Sequence, residues 1–84
     1  MTTLTVDIPE SAFSAMHQAP DEFTEEMRTA AAVKWYELGR ISQGRAAEIA
    51  GLSRAAFIAA LSRYRVSPLQ FTAEELREEL DDGD

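Results

Sequence analysis

At 84 residues, with a net charge of −7 and no cysteine, the chain has room for one small domain that neither a disulfide nor a thiolate metal site can staple. A domain of this size buries only about 60–65% of its unfolded surface, so its stability must come from packing and from association with partners. No apolar run approaches the roughly 20 residues needed to cross a bilayer, and the first residues lack the charged-then-apolar order of a signal peptide, which together predict a soluble cytoplasmic protein.

In chain order, Leu4, Val6 and Ile8 alternate with Thr3, Thr5 and Asp7, the period-2 pattern of a half-buried strand that stops at Pro9. One strand cannot make a sheet, so the pattern predicts pairing with another part of the chain or, more simply, with a second copy of it. Residues 10–16 read as a short helix with Ser11 or Glu10 near its start. Next, Phe23, Met27, Ala30, Ala31, Trp35 and Leu38 recur at spacings of three and four and predict one apolar face of a long helix. Asp21 or Thr24 suits its N-cap, Glu22, Glu25 and Glu26 suit the positive end of its dipole, and Gly39 suits a left-handed stop. A narrower strip through Val33 and Tyr36 gives the same helix a second apolar side, as expected of a helix with one neighbour in its domain and another on a partner.

The charge then reverses. Residues 40–66 carry five arginines (Arg40, Arg45, Arg54, Arg63 and Arg65) against one acid, Glu48, a local net of +4, whereas residues 1–39 and 67–84 carry −5 and −6. Within this island, residues 42–50 and 54–64 read as two short helices around the turn Gly51-Leu52-Ser53, with Ser42 and Ser53 at N-cap positions. Ala47 falls four residues before Gly51 and Phe57 six after it, followed by Ala60, Leu61 and Tyr64. That spacing meets the demands of a helix-turn-helix: a small residue where helices cross, a glycine for positive φ, and large apolar residues filling the wedge. On that geometry Ser53, Arg54, Ala55, Ile58, Ala59 and Ser62 face the major groove, with Arg54 able to make a bidentate contact to guanine. Arg45, Arg63 and Arg65 suit phosphate. The same residues also fit two other readings: a compact helical core whose arginines pair with nearby acids, and a protein-contact surface built on the alanines and Ile58.

Beyond Ser67-Pro68 the chain turns acidic. Val66, Leu69 and Phe71 suggest an extended piece, after which Thr72-Ala73-Glu74-Glu75 reads as a capping box opening a short helix through Leu80. Leu76 and Leu80, with Leu69 and Phe71, offer apolar anchors, and Glu74, Glu75, Glu78 and Glu79 offer charge complementary to a basic cleft, so this segment predicts a partner-binding tail that folds on its target. His17, the only histidine, reads as a surface or helix-end residue. The acid pairs read as solvated faces, and no serine or threonine has a base beside it in a recognisable motif, so neither catalysis, a metal nor a cofactor is expected.

The segment Lys34-Trp35-Tyr36-Glu37-Leu38-Gly39-Arg40-Ile41-Ser42, followed by Gly44-Arg45-Ala46-Ala47-Glu48-Ile49-Ala50-Gly51-Leu52-Ser53-Arg54 and Phe57, resembles the small prokaryotic helix-turn-helix proteins long catalogued as an uncharacterised family and described as antitoxin-like. The likeness extends to the Ile8-Pro9-Glu10 exit and the acidic C-terminal segment. Ala55 and Ala56 stand where members of that group usually have larger or more polar residues. The resemblance implies a type II antitoxin that binds its own operator, represses its operon, and covers a ribonuclease-like toxin, commonly of the PIN-domain class, with a flexible segment. Carried over, the DNA-reading residues lie in 53–62 and the toxin-binding segment in 67–80. The expected fold is mainly α: a small helix-turn-helix domain at 21–66, a dimerising N-terminal region at 1–20 with a short β-strand, and an acidic partner-binding segment at 67–84.

Overall fold

The computed structural model describes residues 2–68; the capping box at Thr72 and the acidic helix through Leu80 lie outside the described residues. Four helices follow one another among the described residues: α1 (Glu10–Met16), α2 (Pro20–Glu37), α3 (Gln43–Ala50) and α4 (Arg54–Arg63). The chain is mainly helical, and none of these helices is long and apolar enough to cross a membrane.

Residues 2–9 do not form the expected β-strand. Their alternation is present, but a strand exists only where its N–H and C=O groups meet a ladder, and no second strand is available among the described residues. The segment instead runs beside α2, with Leu4 81% and Val6 59% exposed.

All four helices end in the same way, and this decides how the chain turns. After α2, the Gly39 amide donates to the Tyr36 carbonyl and the Arg40 amide to the Trp35 carbonyl, with Gly39 at φ +74°. After α3 the same pair runs from Gly51 to Glu48 and from Leu52 to Ala47, with Gly51 at φ +71°. These are Schellman closures, in which a left-handed residue lets two following amides satisfy orphan carbonyls. Non-glycine residues take the left-handed position after α1 and α4: His17 at φ 54° and Arg65 at φ 58°. Both helices still close with their bonds from Gln18 to Phe13 and from Val66 to Leu61.

The start of α2 departs from expectation. Neither Asp21 nor Thr24 is the cap: Pro20 is the first helical residue and Ala19 the N-cap. Proline is suited to that place because its missing N–H is one the helix start would leave unpaired. Alanine has no side-chain acceptor, so the cap is one-sided, with the Glu22 carboxylate accepting from the Ala19 amide at 3.3 Å. Thr24 turns back instead, its hydroxyl donating to the Pro20 carbonyl at 2.8 Å.

The face of α2 that is buried is the narrower strip. Thr29, Ala32, Val33 and Tyr36 are buried against Ala46, Ala47 and Ala50 of α3 and Phe57 and Leu61 of α4, with the Tyr36 and Phe57 rings edge to face at 6.1 Å. Trp35 and Leu38, on the longer strip, remain 38% and 59% exposed. Periodicity marks which sides of a helix are apolar, whereas the reversal at Gly39 decides which side α3 and α4 can reach. Among the described residues, five of the ten buried hydrophobic side chains are alanines, which lets the helices approach closely but makes the core small. At the other end of α2, Phe13 of α1 packs edge to face on Phe23 at 5.0 Å.

Candidate nucleic-acid interface

The basic island folds as α3, a three-residue turn and α4, and its local signals act as the sequence implies. Ser42 and Ser53 are the two N-caps, their hydroxyls accepting from the Arg45 amide at 3.2 Å and the Ala56 amide at 3.1 Å. Gly51 is constrained twice: it needs positive φ, and a Cβ there would meet the Arg28 guanidinium at 3.3 Å. That guanidinium belongs to α2, and its Nε donates to the Ile49 carbonyl at 2.8 Å. Arg28 therefore places positive charge at the C-terminal end of α3, where the helix dipole favours it, and pins the turn to α2. No sequence signal marks this role.

Along α4 the two sides separate cleanly. Phe57, Ala60 and Leu61 face the core, while Ser53, Ala55, Ile58, Ala59 and Ser62 are exposed and Arg54 is half-buried at the helix start. At about 100° per residue, Ala55, Ile58, Ala59 and Ser62 share one side of the helix. The structure thus leaves uncovered the face that the spacing assigns to base edges. Arg45, Arg63 and Arg65 are exposed around it, with Arg45 paired to Glu48 across one turn of α3 at 3.3 Å. Arg40 is also exposed, at the closure of α2.

Arg54 is anchored in a way that spacing does not reveal. Its Nε donates to Oε1 of Gln43 at 2.9 Å, and Nε2 of Gln43 donates to the Pro68 carbonyl at 3.1 Å. The Tyr36 hydroxyl donates to the same carbonyl, also at 3.1 Å. Gln43 is buried at the first turn of α3, a position where its polarity would ordinarily suggest a solvated residue.

A second, polar cleft lies between the start of α2 and the end of α4, lined by Glu22, Glu25, Glu26, Arg28, Arg63 and Tyr64 among others. Partial burial, reinforced by the Glu26 carboxylate, pushes the Tyr64 phenol above its ordinary range, while Arg63 draws it back. Among the described residues no group of three His, Asp or Glu side chains stands close enough to hold a metal ion. His17 sits at the end of α1, exposed. The segment expected to bind a partner, with Leu69, Phe71, Glu74, Glu75, Leu76, Glu78, Glu79 and Leu80, lies outside the described residues.

The family model described as "Uncharacterised protein family (UPF0175)" matches residues 1–84. A UPF0175 protein of Aeropyrum pernix is 35% identical to this chain over 93% of it and 82% of the relative. A second from the same organism is 41% identical over 70% of this chain and 75% of its own length. A UPF0175 protein of Archaeoglobus fulgidus is 42% identical over 68% of this chain and 64% of the relative. No solved structure matches the chain.

Proposed function

We propose that this chain, which belongs to the UPF0175 family, is a DNA-binding antitoxin that represses its own operon and neutralises a ribonuclease-like toxin. The observation that carries the DNA-binding half is the outer side of α4, where Ala55, Ile58, Ala59 and Ser62 stand uncovered at helical spacing inside the one basic stretch of an acidic chain, with the half-buried Arg54 at its start. In this reading α3, the turn and α4 are a helix-turn-helix. Arg54 and Ser53 meet base edges near the start of α4, Ile58 and the alanines touch thymine methyl groups, and Arg45, Arg63 and Arg65 neutralise phosphates. Each phosphate contact contributes about −0.9 to the slope of log affinity against log salt. Two to four of them per protomer make a monomer a weak binder and a homodimer a much better one.

The antitoxin half is supported by the resemblance and by the acidic composition after Pro68, where seven acids face one base. Such a segment complements the basic cleft or metal ions of an RNA-cutting enzyme, with a PIN-domain ribonuclease as the expected type of toxin. The chain itself is assigned no catalysis and no cofactor, and it works in the cytoplasm, where its operator is. A second reading, a protein-interaction module without DNA binding, is favoured by the apolar character of the exposed α4 face, where Ile58 is 39% exposed between alanines.

Fluorescence anisotropy separates the two. Binding to the DNA upstream of the chain's own gene that resists scrambled competitor, and that is lost in Arg54→Ala/Arg63→Ala, is the expected result. Weak binding that scrambled DNA removes and added salt abolishes leaves the interaction module as the better account.

A further inference from the structure

From Ala55 to Leu61, about two turns of α4, no side chain can make a hydrogen bond. Phe57, Ala60 and Leu61 go into the core, which leaves Ala55, Ala56, Ile58 and Ala59 exposed. The polar groups of the outer side lie only at its ends, Ser53 and Arg54 before this stretch and Ser62 after it. Two of them are already engaged: the Ser53 hydroxyl accepts from the Ala56 amide at 3.1 Å, and Arg54 Nε donates to Gln43 at 2.9 Å.

Charge selects what such an apolar face meets. It lies inside the stretch of net +4, with Arg45, Arg63 and Arg65 exposed around it, while the flanking stretches carry −5 and −6. The surroundings therefore suit a polyanion, and the face itself suits an apolar group presented by that polyanion. Duplex DNA offers one such group to a helix in its major groove, the C5-methyl of thymine.

We propose that α4 reads thymine methyl groups, and that these methyl groups rather than hydrogen bonds carry its sequence preference. The inference rests on the DNA-binding reading above and deepens it, by deciding which contacts of that reading tell one sequence from another. Arginine contacts to phosphate strengthen binding to every sequence alike. A methyl contact strengthens it only where a thymine stands. Ala55 and Ala59 share one side of the helix with Ile58 and are short, so the helix surface can approach the bases closely and Ile58 projects furthest toward them. Laid over the amino group of cytosine or the O6 of guanine, the same side chains strip away water and give no hydrogen bond in return.

The test uses full-length protein and the DNA upstream of its own gene, prepared with deoxyuridine in place of one thymidine at a time. Uracil lacks the methyl group and keeps thymine's hydrogen-bonding pattern. Fluorescence anisotropy reads the affinity, with scrambled DNA carrying the same replacement as reference. At each contacted thymine the affinity falls about fourfold, the worth of one buried methyl-sized group. Where such a T·A pair is exchanged for C·G, the pair carrying 5-methylcytosine binds more tightly than the unmethylated one by the same factor. In Ile58→Ala, a substitution on the exposed side of α4, the uracil effect disappears at one or more of these positions while binding to scrambled DNA is unchanged. A preference that survives uracil at every thymine overturns the proposal and leaves the reading to the polar ends of the face. Uracil effects of the same size in Ile58→Ala at every position overturn it too, because they then arise from DNA shape. Wild-type protein that shows no preference for its own DNA is a distinct result: it overturns the DNA-binding reading itself and leaves the face to a protein partner.

Discussion

His17 and Arg65 hold left-handed backbone that two glycines hold elsewhere in the same chain. For an L-residue with a Cβ that conformation costs roughly 1–2 kcal/mol, so each position stores strain at a helix end. Arg65→Gly relieves it and removes an exposed cation from the basic island. The expected outcome is a melting temperature higher by about 4–8 °C for each 1 kcal/mol gained in a domain this small, alongside a DNA salt slope shallower by about 0.9. Thermal melts and anisotropy against salt read the two effects separately; a slope that does not move would take Arg65 out of the phosphate contacts. Tyr64 offers a pH test. Its phenol is pushed up by burial and by Glu26, so the folded state favours the protonated form. That contribution is full below the ordinary tyrosine range and is lost as pH rises through the raised value. Tyrosinate absorbance should therefore appear at higher pH for Tyr64 than for an exposed tyrosine, and Glu26→Gln should bring its midpoint down.

At the scale of the helix, local chemistry written in one or two residues proved the most readable. Ser42, Gly51 and Ser53 each occupy the cap that their type and spacing imply, because a cap is satisfied by amides within three residues of it. Ser53→Ala should cost about 1 kcal/mol, read as a lower denaturant midpoint with an unchanged slope. Since α4 has only ten residues, a midpoint left in place would mean that tertiary packing alone holds its start. The entry to α2 was not readable in this way. Asp21 and Thr24 are good capping residues one and four places after Pro20, but Pro20 at the first position sets the start earlier.

For the whole molecule, the question is what covers the residues left outside the small core. Leu4, Val6, Met27, Ala31, Trp35 and Ile49 line one open apolar groove between the N-terminal segment and α2. Under the proposed homodimer, the exposed Leu4 and Val6 side chains and this groove are covered by a second copy of the chain. Val6→Asp puts a charge into that apolar contact, so it should shift the protein from dimer to monomer in sedimentation. A variant that sediments as a full dimer would move the interface away from residues 2–8.

The sequence by itself determined the helical class, the basic island, both serine caps, the glycine stops and the inward residues of α4, since each depends on neighbours within one or two turns. Only the tertiary structure decided which strip of α2 is buried, that residues 2–9 find no ladder among the described residues, and that Arg28 and Gln43 reach across to Ile49 and Arg54. The reason is one of range. A cap or a turn is a contract between adjacent residues, whereas a covering face, a strand partner or a clasp between helices depends on where the reversals at Gly39 and Gly51 bring distant parts of the chain.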